Sequence, residues 1–110
     1  MNPYFLLGAA IVAELVGTTA LNLSDGFTKL VPSIGVLVGY AISFYLVSLV
    51  LRDLPIGVVY GTWSAIGIVG IATISVVFFD EPVDLTGIVA IGIIVLGVFL
   101  LNVVSEMSAH

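Results

Sequence analysis

The sequence predicts an all-α membrane protein of four transmembrane helices, on three observations: its apolar content, the length of its uninterrupted apolar runs, and where its prolines fall. Of its 110 residues, 61% are hydrophobic and 8% are charged, against about half and roughly a quarter in an ordinary soluble domain. A chain of this length buries only about two thirds of its surface on folding, so lipid has to cover the remainder. Four apolar runs, 3–21, 33–51, 56–79 and 85–104, match a hydrocarbon core of about 30 Å at about 1.5 Å of helix rise per residue. None shows the strict apolar and polar alternation of a transmembrane β-strand.

The elements follow in order. The first helix opens at Pro3, carries Glu14 near its middle, and gives way to a polar cluster from Asn22 to Lys29. The second begins just past Pro32 and ends at Arg52-Asp53; the third follows Pro55; the fourth follows the acidic stretch Asp80 to Asp84, with Pro82 inside it, and runs to a polar tail from Ser105. Proline fits a helix's first turn, where its missing N–H would have no partner, and is costly in the interior. All four prolines mark helix starts. The second and third connections are so short that the helices they join must run antiparallel as neighbours. The expectation is a single four-helix domain over 1–110 with no extramembrane module. The amino terminus lacks the positive region and small-residue cleavage site of a signal peptide.

Charge and composition exclude several classes. Lys29 and Arg52 are the only Lys or Arg, whereas nucleic-acid binding needs clustered positive charge. No cysteine is present, which removes disulfides and thiolate metal sites. No nucleophile with a base and an orienting group is visible, so no enzyme, metal or cofactor is expected. Asp80, Glu81, Asp84 and Glu106 read as solvated charges at helix ends, and the terminal His110 is not read as a ligand. Lys29 and Arg52 fall on opposite sides of the membrane. Because the Lys and Arg bias sets orientation, one against one predicts insertion both ways.

Glu14 is the intramembrane carboxylate. A charge at that depth costs at least about 2.5 to 3.5 kcal/mol on insertion scales, so such residues face a partner or cavity and are functional by default. No basic residue lies at similar depth to pair with it. Leu7, Ala10, Gly17, Thr18 and Leu21 share its helical face, a mostly small surface that permits either close packing or room for a ligand. The plain alternative is a carboxyl held protonated as a link between helices.

Aromatic residues lie on faces of the next two helices: Val36, Tyr40, Ser43, Phe44 and Val47 in the second, and Tyr60, Trp63, Ser64 and Gly67 in the third. Aromatic rings beside a carboxylate suit a lipophilic cation, through apolar contact and cation–π attraction. The alternative is ordinary packing with the hydroxyls satisfied inside the bundle. Glycines in the third and fourth helices read as close-packing positions, and a bend near Gly67 to Gly70 is a weaker expectation.

Taken together, Asn2-Pro3-Tyr4, Ala13 to Thr19, Ser24 to Thr28, Pro32-Ser33, Tyr40 with Ser43-Phe44, and Pro55 to Gly67 resemble the small multidrug resistance family of prokaryotic inner-membrane, proton-coupled exporters, in its quaternary-ammonium type. Gly17-Thr18-Thr19 after the glutamate is similar to that type; the guanidinium-exporting type carries tryptophan three residues beyond the glutamate. The resemblance implies an antiparallel, dual-topology homodimer in which both Glu14 side chains share one site and bind protons or small lipophilic organic cations by turns. It further implies that Tyr60 and Trp63 contact substrate, that Tyr40, Ser43, Ala10, Gly17 and Thr18 line the chamber, and that Gly67 lies near a bend. Asn22, Ala90 and Glu106 depart from the family's usual lysine, glycine and basic or neutral residue. The rival readings are a guanidinium-type metabolite exporter and a non-transporting membrane subunit.

Overall fold

The computed structural model describes residues 2–106, so His110 lies outside the described residues. Among the described residues there are four helices, all long and apolar enough to cross a membrane, and no strand. They are α1 (Pro3–Leu23), α2 (Leu30–Val50), α3 (Ile56–Phe79) and α4 (Leu85–Phe99), and α4 continues as a π-helical segment, η1 (Leu100–Val104). The contacts group into two compact units, residues 1–53 and 54–110, and each is described by itself.

In the first unit, Asn2 caps α1 by accepting the Tyr4 N–H on Oδ1 at 2.8 Å, with Pro3 in the first turn. This satisfies one of the four orphan donors at a helix start. The helix runs two residues past the expected Leu21 and stops at a turn built on Ser24. The buried Ser24 hydroxyl donates to the Leu21 carbonyl at 2.7 Å and accepts the Phe27 N–H at 3.1 Å. Asp25, Gly26 and Phe27 are all left-handed, with φ of 50°, 68° and 66°. Glycine holds such a φ without steric cost, whereas its two neighbours do so against it, and the Ser24 bonds hold the turn in place.

The second helix starts at Leu30, three residues ahead of the expected start. Proline is tolerated anywhere in the first turn, because the N–H groups there have no intrahelical partner. Pro32 therefore sits inside that turn. Leu7, Ala10, Ile11 and Gly17 of α1, and Val36, Gly39, Ser43 and Val50 of α2, are the buried residues of these helices.

In the second unit, α3 spans the expected residues and ends at Asp80, which is left-handed at φ 52°. The Asp80 N–H and the Glu81 N–H, the latter at 3.1 Å, both return to the Ser75 carbonyl and close the helix end with a wide turn. Asp84 caps α4, its Oδ1 accepting the Gly87 N–H at 2.8 Å. No residue of α4 is buried, so this apolar helix offers its surface to lipid or to other helices. Its last turn departs from the expected continuous α-helix. The Asn102 side-chain amide donates to the Val98 carbonyl at 3.0 Å, and the Ser105 N–H reaches five residues back to Leu100 at 2.8 Å. A side chain that takes an i−4 carbonyl competes with the backbone ladder, and the wider π turn is the result.

Candidate functional site

The site in the first unit is set by how closely α1 and α2 approach. A Cβ on Gly39 would lie 2.9 Å from the Ala13 carbonyl oxygen and from the Cα and N of Gly17, and one on Gly35 would lie 3.2 Å from the Ala20 Cβ. Gly35 and Gly39 thus form a G-x-x-x-G face against the small residues of α1, the pattern that lets membrane helices meet backbone to backbone. Ser43, one turn on, is buried and donates its hydroxyl proton to the Ala10 carbonyl at 2.8 Å. Ala10 is itself fully buried, so both residues serve the helix contact within this chain.

That contact carries Tyr40 over Gly17 and onto Thr18. A Cβ on Gly17 would touch the Tyr40 ring at 3.4 Å, and the Tyr40 ring stacks on Phe44 with centroids 6.1 Å apart. The Tyr40 Oη lies 2.7 Å from Thr18 Oγ1, and Thr18 Oγ1 lies 2.8 Å from Glu14 Oε1. A hydroxyl has one proton to give. When the Glu14 carboxylate is ionised it can only accept, so Thr18 donates to it and Tyr40 donates to Thr18. Thr18 then points its proton at the charge, and Tyr40 supports Thr18 from behind. When Glu14 holds a proton, the chain can reverse: Glu14 donates to Thr18 and Thr18 to Tyr40. Glu14, Thr18 and Tyr40 are all half-buried, which leaves the carboxyl group within reach of an exchanging ion.

Glu14, Thr18, Tyr40, Gly17, Ala10 and Ser43 therefore come together in one unit. The second unit holds Tyr60, Trp63 and Gly67. Tyr60 is 74% exposed in the single chain, Trp63 is half-buried, and Gly67 lies inside an uninterrupted α-helix. Neither Lys29, at the N-cap of α2, nor Arg52, just past its end, lies within a spanning helix. Among the described residues, Glu14 is the one acidic residue that does.

The family model described as Small Multidrug Resistance protein matches residues 2–94. The chain belongs to this family. Among similar members are the quaternary ammonium compound-resistance protein QacE of Escherichia coli, 46% identical, the multidrug transporter EmrE of Escherichia coli K12, 43% identical, and the quaternary ammonium compound-resistance protein QacF of Klebsiella aerogenes, 41% identical. Each alignment covers the whole of both chains. With its four spanning helices, this small multidrug resistance family member is a multi-pass protein of the prokaryotic inner membrane.

Reasoning from sequence missed two groups. Gly35 and Gly39 form a G-x-x-x-G pattern in the sequence, but the pattern does not say which helix packs against it. The second is Asn102, whose amide reaches Thr62 forty residues away at 2.9 Å; no local signal pairs them.

Proposed function

We propose that this protein exports lipophilic, aromatic cations in exchange for protons, both bound by turns at Glu14, as an antiparallel homodimer inserted in both orientations. The observation that carries the reading is a carboxylate at mid-helix, served by the neutral donors Thr18 and Tyr40, in a chain with no Lys or Arg in any span. An ionised group in such a place needs a positive occupant. A proton and an organic cation are the two candidates, and they exclude one another. The names of the relatives, multidrug transporter and quaternary ammonium compound-resistance proteins, favour the cation class.

Exchange follows from this exclusion. A cation binds only where the proton has left, so the two travel in opposite directions through a site that opens to one side at a time. Antiparallel assembly makes the two open states equivalent by symmetry, and the even balance of Lys29 against Arg52 supports dual insertion. Tyr60 and Trp63 supply ring faces to the cation; Ala10, Gly17 and Ser43, buried where α1 meets α2, back the chamber by holding Glu14, Thr18 and Tyr40 in place, and Gly67 is where α3 bends as the site changes sides. Where a monovalent cation replaces two protons, one net positive charge enters per cycle and the membrane potential contributes to the driving force.

The test is Glu14→Gln, which mimics the protonated form. In proteoliposomes it keeps the dimer, and it abolishes tetraphenylphosphonium binding and proton-driven uptake. Persistent uptake by this variant would refute the mechanism. Guanidinium binding with proton release, in place of tetraphenylphosphonium binding, would reassign the substrate.

A further inference from the structure

In the second unit one carboxamide is used in a lopsided way. Asn102 Nδ2 donates to Thr62 Oγ1 at 2.9 Å and to the Val98 carbonyl at 3.0 Å, so both amide protons are spent. Its Oδ1 is buried and without a hydrogen-bond partner. Turning the amide over would set that oxygen against the Val98 carbonyl, which only accepts, so the orientation is fixed by its surroundings. A buried unpaired acceptor is unfavourable, and leucine at this position would avoid it. Whatever Asn102 contributes must therefore come from its N–H side, and outside its own helix that side holds Thr62.

The backbone around it is arranged to the same end. The π turn of η1 presents Asn102 toward α3, and Leu101 Cδ2 lies 3.1 Å from where a Cβ on Gly61 would be. The absence of a side chain at Gly61 lets η1 approach the second turn of α3, where Thr62 stands. Thr62 lies beside Trp63 and two residues after Tyr60. Most of the side chains lining the groove between α3 and α4, among them Ala65, Val69, Val95 and Val98, are aliphatic. Apolar contact is non-directional and tolerates rotation of one helix against the other, whereas a polar contact in such a seam favours one register.

We propose that Asn102 is a positioning residue: by holding Thr62 it fixes the rotation of α3 about its axis, and with it the direction of the Tyr60 and Trp63 rings. The inference rests on the reading of those rings as cation contacts. Loss of the latch leaves Glu14 intact, so the number of protons released per bound cation is retained while the aromatic contribution to binding falls.

The experiment uses the full chain in detergent and in proteoliposomes, with tetraphenylphosphonium as the probe. Trp63 is the sole tryptophan, so intrinsic fluorescence reports on its surroundings directly. Asn102→Leu and Thr62→Val each weaken tetraphenylphosphonium binding by about 2- to 10-fold, the equivalent of one neutral hydrogen bond, and each shifts the Trp63 emission. The double variant is no weaker than the single ones, because both remove the same contact. Thr62→Ser keeps the acceptor and restores the wild-type affinity and emission. Wild-type affinity and emission in Thr62→Val, even with lowered thermal stability, would show a merely structural contact and overturn the proposal. Since Thr62→Val is close to isosteric, a failure of Asn102→Leu to fold leaves the test standing. A wild-type protein that binds no cation would instead overturn the cation reading itself.

Discussion

Removing the hydroxyl that faces Glu14 tests the site where it is best defined. Thr18→Val keeps the shape of the side chain and deletes the donor that lies 2.8 Å from Glu14 Oε1. A hydrogen bond to a charged group contributes about 1.5 to 3 kcal/mol, and about 1.4 kcal/mol is a factor of ten in binding. The bond stabilises the ionised carboxylate, and the cation needs that form. The protonated form keeps a neutral bond to the same hydroxyl, so only the difference of about 1 to 1.5 kcal/mol counts, and where proton and cation compete Thr18→Val lowers the apparent affinity for tetraphenylphosphonium by about 5- to 10-fold. Tyr40 acts one step further out, through a hydroxyl 2.7 Å from Thr18. Tyr40→Phe then costs a neutral bond of about 0.5 to 1.5 kcal/mol, or about 2- to 10-fold. With Thr18 already replaced, Tyr40 has no route to Glu14, and the double variant matches Thr18→Val alone. Isothermal titration of the four proteins completes the cycle. Thr18→Val within twofold of wild type, or fully additive losses, would refute the reasoning.

Three further outcomes follow from the same geometry. Gly39→Ala forces a methyl to within 2.9 Å of backbone atoms of Ala13 and Gly17; overpacking of this kind costs about 1 to 3 kcal/mol, so thermal unfolding in detergent shows a lower midpoint and cation affinity falls as Tyr40 leaves Thr18. An unchanged midpoint would mean that the helices do not meet at Gly39. Ser43→Ala removes the buried bond to the Ala10 carbonyl and lowers stability by about 1 kcal/mol, read by the same unfolding assay; no loss of stability would show that the hydroxyl is not committed to that bond. Arg52→Ala together with a lysine added to the Asp80 to Asp84 connection shifts the positive balance to one side, and reporter fusions then show one predominant orientation, whereas an unchanged ratio would count against dual insertion.

Much of the fold is legible because lipid imposes so strict a rule: every spanning segment must satisfy its own backbone, so apolar length alone marks helices. The third helix keeps its expected bounds for this reason. Helix ends obey other rules. The start of α2 hinges on the tolerance of a first turn for Pro32, and the π turn at the end of α4 on a side chain, Asn102, taking a carbonyl from the backbone. Neither leaves a mark on hydropathy. Glu14 stands out in sequence because a carboxylate is costly in a membrane, and its neighbours Gly17 and Thr18 follow from helical spacing. The partner hydroxyl of Tyr40 depends on an interhelical approach that Gly35 and Gly39 permit, and spacing within one helix says nothing of that. Asn102 and Thr62 lie farther still from local inference, since their pairing exists only once α3 and η1 have packed.

The central claim is that a proton and an organic cation take the same carboxylate in turn. It is tested most directly by adding tetraphenylphosphonium to the detergent-solubilised, unbuffered protein and recording proton release, with Glu14→Gln alongside. The account predicts protons appearing in step with cation binding in the wild type, and neither binding nor release in Glu14→Gln. Cation binding without any release of protons across the pH range in which the protein is folded would contradict it.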